Sequence, residues 1–152
     1  MIPFILPDDA EEQGLLFFYE GVEKCLTNES RYADWLQQVA TTEGKKVGLV
    51  RVIFMSDDAL LEMNRTFLDH DYYTDIITFP LNEDPIEAEL YISIDRVRDN
   101  AAELGVPAEE ELARVMVHGI LHLCGYGDKD DAEKQIMREM EGKYLELLEM
   151  ES

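Results

Sequence analysis

The chain has 152 residues, of which 46% are hydrophobic, and a formal charge of -21 from 34 Asp plus Glu against 13 Lys plus Arg. That is one ordinary domain's worth, expected as a single domain over residues 1–152 with an apolar core of its own, which excludes overall disorder and a second large domain. With only Cys25 and Cys124 a disulfide framework is excluded, and the absence of a basic, apolar leader or of a run of about 18 apolar residues points to a cytoplasmic protein without membrane contact.

In chain order, the opening to about Gln13 is expected to be irregular, and Leu15 to Val22 to form a strand that Gly21 weakens. Ser30 is placed to cap a helix through Thr42, with Tyr32, Trp35, Leu36 and Val39 along one side and Gly44 as its stop. The β-branched run Val47 to Met55 predicts a buried strand. Ser56 before Asp57 and Asp58 opens a helix carrying Leu60, Leu61, Asn64 and Phe67. Ile76 to Phe79 forms a short strand stopped by Pro80, and Glu89 to Ile94 forms another. Asp95 to Leu104 forms a helix ended by Gly105, and Pro107, as a first helical residue, opens a longer one to about Cys124. Asp130 with Glu133 resembles a capping box for a last helix, Asp131 to about Leu148. Mixed but not strictly alternating elements predict an α+β fold, a small mixed β-sheet packed with helices.

The chemistry gathers near the end of the long helix, in His118-Gly119-Ile120-Leu121-His122. Four residues rotate about 40° around a helix, so both imidazoles leave one face about a turn apart, as in a two-histidine metal clamp. Gly125-Tyr126-Gly127 then turns the chain, and Asp128, followed by Asp130 and Asp131, can offer a carboxylate to the same point. Two histidines and a carboxylate leave a coordination position for water, the pattern of a catalytic zinc site. Cys124 points away and is expected in the core. A zinc protease would carry Glu after the first histidine, and Gly119 stands there.

These residues resemble the YbeY endoribonucleases, or rRNA maturation factors, whose signature is HGxLHLxGYDH. His118 to Asp128 matches it except that the family's Asp is Gly127 and its third histidine is Asp128. The likeness extends over roughly residues 15–148. It includes Met63-Asn64, the run Thr74-Asp75-Ile76-Ile77-Thr78-Phe79, similar to the family's T-D-V-L-S-F strand, and Glu89-Leu90-Tyr91-Ile92-Ser93. The resemblance implies a zincin-like metal helix with His118, His122 and Asp128 holding zinc, or another divalent transition metal. It further implies a zinc-dependent endoribonuclease in 16S rRNA 3′-end maturation, ribosome assembly and quality control, partnered by rRNA of the small subunit and by ribosomal proteins. Asp128 in place of imidazole lowers the site's formal charge by one and makes a bound water less acidic.

The family's phosphate-assisting arginine falls on Leu68, so another cation has to stabilise charge on a phosphoryl group. Arg65, His70 between Asp69 and Asp71, and Arg114, four residues before His118, are the candidates, with His70 and Arg114 joining the two metal histidines as catalytic expectations. The acidity opposes nucleic-acid binding except where cations gather within a Debye length of about 8 Å. Lys45, Lys46, Arg51, Arg65 and Arg114 are therefore expected near the groove; the charge itself also fits a high-salt habitat. Two alternatives stand beside the nuclease: a ribosome-assembly factor binding RNA or protein around a structural metal, and a metalloprotease.

Overall fold

The computed structural model describes residues 14–150, so the expected irregular opening to about Gln13 lies outside the described residues. The elements run β1 (Gly14–Tyr19), α1 (Glu29–Thr42), β2 (Val47–Met55), α2 (Asp57–Leu68), β3 (Ile76–Glu83), β4 (Ile86–Ser93), α3 (Ile94–Leu104), α4 (Ala108–Leu123) and α5 (Asp131–Met150). The four strands form one mixed sheet in the order β1-β2-β4-β3. β1 and β2 are parallel, as are β2 and β4, and β3 is antiparallel to β4. The fold is α+β, as the sequence predicts.

Alternation along β2 divides the core. Val50, Val52 and Phe54 face α1 and α4, with Tyr144 and Leu148 of α5 packed behind. Ile53 and Met55 face the other way, onto Leu60 and Met63 of α2. α4 is enclosed on nearly every side, burying Leu112, Val115, Met116, Ile120 and Leu121. At Gly119 it lies tight against the sheet, where a Cβ would stand 2.9 Å from Ile76 Cδ1 and 3.1 Å from Leu90 Cδ1. The glycine is thus a packing requirement of the helix–sheet contact.

Several expected boundaries move. β1 stops at Tyr19, before Gly21 at φ 70°. α1 is capped by Asn28, whose Oδ1 accepts from the Arg31 N–H; Ser30 lies inside the helix and donates its hydroxyl to Asn28. β3 continues through Pro80 to Glu83, because it is the sheet edge opposite β1 and a residue without N–H is tolerated on an edge strand. That extension pairs with an earlier start of β4, Glu83 opposite Ile86. Pro107 is the cap of α4, not its first residue, and makes no side-chain capping bond. At α5 the Asp130 carboxylate accepts from Glu133 N–H, while Glu133 reaches back to the Lys129 N–H.

Candidate metal centre and cleft

His118 and His122 leave the same face of α4 as their spacing predicts, their rings nearly parallel at 10° with centroids 6.4 Å apart. Each ring is held through Nδ1. His118 Nδ1 donates to Glu141 Oε2 at 2.7 Å, and His122 Nδ1 donates to the Tyr126 main-chain oxygen at 2.9 Å. A carboxylate and a carbonyl can only accept, so the proton of each neutral ring sits on Nδ1 and Nε2 carries the lone pair. This is the arrangement in which an outer partner orients a metal-binding imidazole.

The turn after α4, with Gly125 at φ 109°, returns Asp128 to the pair. Its Oδ2 lies 3.4 Å from His118 Nε2, with the side chain 46% exposed. Two donors about 2.0–2.1 Å from one zinc ion at the tetrahedral angle stand about 3.4 Å apart, so this edge already has the length a zinc site needs. The third corner stands off: among the described residues no three His, Cys, Asp or Glu side chains are gathered closely enough to enclose an ion as they stand. The donor set of two imidazole nitrogens and one carboxylate nevertheless suits zinc. Cys124 is half-buried against the core, its thiol pushed up to about 11 by burial, and is no competitor.

Behind His118 lies a buried charge network, of which sequence spacing points only to Arg114. Glu141, only 4% exposed at its side chain, accepts from His118 with one oxygen and from Arg114 Nη1 at 3.0 Å with the other. Arg114 is also held by Glu111, through Nε at 2.8 Å and Nη2 at 2.5 Å. Burial alone would raise the Glu141 carboxyl, but the hydrogen bond from His118 and the Arg114 guanidinium hold it below the ordinary carboxylate range. Burial likewise opposes charge on His118, yet Glu141, with Asp128 and Asp75 nearby, keeps that imidazole above its ordinary value. Glu141 had a signal: Met137, Tyr144 and Leu148 share its stripe of α5 at spacings of four, three and seven residues, making it the one acid on an apolar face. A second outer support is Glu43, just past α1, which accepts from the Tyr126 hydroxyl at 2.7 Å and from the Tyr144 hydroxyl. Glu43 thereby fixes the turn whose carbonyl holds His122.

A cleft of about 410 Å³ opens over the pair, with Asn64, Leu68, His70, Tyr72 and Asp75 across from His118, His122 and Asp128. His70 therefore does face the site. Its ring stacks on Tyr72 with centroids 5.1 Å apart, and its Nδ1 is 2.9 Å from the Tyr72 hydroxyl. Asn64 is buried and shapes the loop, its Nδ2 donating to the Tyr72 main-chain oxygen at 2.9 Å. Burial raises the Asp75 carboxyl, against the pull of Arg114 and His118. Leu68, 39% exposed, is part of the cleft wall and leaves it apolar there.

The expected gathering of cations along this cleft is not found: no Lys or Arg lines it among the described residues. Arg51 is buried on the sheet 3.6 Å from Glu89, and Arg65 pairs with Asp71 at 2.5 Å on the surface. Arg114, expected as a catalytic cation, is turned to Glu111 and Glu141 and belongs to a smaller neighbouring cavity. Lys45 and Lys46 line neither cavity.

The sequence model of the endoribonuclease YbeY family matches residues 20–149. Among curated relatives, the endoribonuclease YbeY of Phocaeicola vulgatus is 48% identical over 132 residues, covering 86% of this chain and 96% of its own. That of Bacteroides thetaiotaomicron is 46% identical over 127 residues, covering 83% and 93%. Among solved structures, the solution structure of TM1509 from Thermotoga maritima is similar with a TM-score of 0.67 and 34% identity, covering 90% of each chain. A family model spanning most of the chain and relatives this similar carry one conclusion: the chain belongs to the endoribonuclease YbeY family.

Proposed function

We propose that this chain is a zinc-dependent endoribonuclease that matures the 3′ end of 16S rRNA during ribosome assembly and quality control. As a member of an endoribonuclease family it is a hydrolase. One observation carries the proposal: two imidazoles with Nδ1 already engaged leave Nε2 bare, that of His118 3.4 Å from the Asp128 carboxylate, at the mouth of an open cleft.

His118, His122 and Asp128 would hold the metal. When bound, zinc polarises a phosphoryl oxygen and lowers the pKa of a water toward about 7. The chain's own residues do the rest. Glu141 and the Tyr126 carbonyl keep the two Nε2 atoms bare and aimed. His70, stacked on Tyr72 at the opposite wall, can present a proton or positive charge to a phosphate in the cleft. Gly119 packs on the sheet, so position 119 offers no base for peptide hydrolysis, and metalloprotease activity is not expected.

With Leu68 at the family's arginine position, one donor to the developing charge is missing, which typically costs about 10²- to 10³-fold in turnover. Cleavage of free RNA should be slow, faster on a small-subunit particle that supplies a cation, and raised by Leu68→Arg. The test compares both substrates with the zinc-loaded chain, His118→Ala and a chelated sample. Cutting that survives both the substitution and the chelator would be a contaminant's. Absence of cutting on either substrate would favour the second reading, an assembly factor with a structural metal, which the cation-free cleft also supports.

A further inference from the structure

The His118 and Asp128 side chains separate two cavities. On one side is the cleft; on the other is a pocket of about 170 Å³ between α4 and α5, lined by Arg114, Lys134, Met137, Arg138 and Glu141 together with the two shared residues. Their charges differ. The cleft has no Lys or Arg among the described residues, whereas the pocket has three. Arg114 is committed to Glu111 and Glu141. Lys134 and Arg138, one turn apart on the exposed side of α5, make no ion pair or side-chain hydrogen bond among the described residues. Of the carboxylates that share the pocket, Glu141 is taken by Arg114 and His118, and Asp128, beside His118 Nε2, would be neutralised by the metal it helps to hold.

We infer that this pocket is a phosphate subsite, in which Lys134 and Arg138 take the backbone of a single-stranded RNA as it passes over the His118–Asp128 edge. The inference rests on the endoribonuclease reading and adds to it where the strand leaves the centre. In a chain of net charge -21 a polyanion is held only where unpaired cations collect, and here they collect across the metal edge from Leu68. The subsite grips a phosphate beside the one being cut, so it contributes to binding in the ground state and the transition state alike.

The experiment uses the full, zinc-loaded chain with Lys134→Gln/Arg138→Gln, and Lys24→Gln/Arg98→Gln as a control of equal charge change at two residues that line neither cavity. Binding of an uncleavable 2′-O-methyl oligonucleotide is followed by anisotropy across a salt series, with zinc content measured in each sample. Each lost phosphate contact lowers the log–log salt slope of a single strand by about 0.7, so the double variant should lose about 1.4 and bind about 14-fold more weakly at 0.15 M salt, taking 1 M as reference. KM for RNA should rise with kcat nearly unchanged, the mark of uniform binding, and zinc content should stay as in wild type. A slope, affinity and KM equal to those of the Lys24/Arg98 control overturn the subsite and leave the endoribonuclease reading standing. A wild-type chain that neither binds nor cuts RNA overturns that reading, and the subsite with it.

Discussion

Glu141→Gln changes one atom and should weaken zinc binding at the proposed His118–His122–Asp128 centre. In the native protein both carboxylate oxygens accept, one from Arg114 Nη1 at 3.0 Å and the other from His118 Nδ1 at 2.7 Å. An amide has one accepting oxygen and one donating nitrogen. The guanidinium can only donate, so the oxygen must stay with Arg114 and the NH2 must face His118. Nδ1 then has to accept, which moves the imidazole proton to Nε2, the nitrogen needed by a metal. Loss of such an outer partner typically lowers metal affinity about 10- to 100-fold, or about 1.4–2.7 kcal/mol. Competition titration with a zinc indicator measures the affinity, and nitrogen-15 spectra of the metal-free protein show which ring nitrogen of His118 bears the proton. Retention of wild-type zinc affinity, with the proton still on Nδ1, would refute the reasoning.

Asp128→Ala should lower zinc affinity while Asp128→His retains it, since imidazole and carboxylate are both zinc donors; full occupancy in Asp128→Ala would move the third ligand elsewhere, with Asp130 the first to examine. Gly119→Glu, which recreates the protease sequence pattern, should confer no peptidase activity and should destabilise the fold by more than about 3 kcal/mol, because the added carboxylate enters the contact with Ile76 and Leu90. Unfolding in denaturant and a casein assay check it, and an unchanged midpoint would refute the tight contact of position 119 with Ile76 and Leu90. Added potassium chloride should raise thermal stability by screening a charge of -21, and indifference to salt would remove the high-salt habitat as an explanation of the acidity.

What could be seen in the sequence was what repeats locally. Val47 to Met55 is a buried strand because its β-branched run suits both faces of a central position, and those bounds match the observed element. Ser56 caps α2 as expected, its hydroxyl accepting from Ala59 N–H at 3.2 Å. The edge position of β3, which lets the strand run through Pro80, depends on strand order and could not be read from local signals. The same division runs through the site. His118 and His122 follow from helical spacing, and Asp128 from the glycine-rich turn. Glu141 and Glu43 act from 23 and, through Tyr126, 83 residues away, distances over which periodicity carries no information. Helical spacing puts Arg114 on the face of His118, but its partners come from two helices, and they turn it from the cleft.

The short span from His118 to Asp128, set against the remote residues that aim the rings, bears on how binding of the proposed zinc would be linked to stability. An unfolded chain still carries all three proposed donors in residues 118–128, and closing so short a loop costs little entropy. Zinc can therefore bind the unfolded state as well, and a ligand shared by both states stabilises the native one only by the difference in affinity. That difference would come from Glu141 and from the turn held by Glu43, which aim the two rings. Removing zinc should consequently shift the unfolding midpoint by less than the native affinity alone implies, with most of the shift disappearing when those two carboxylates are neutralised.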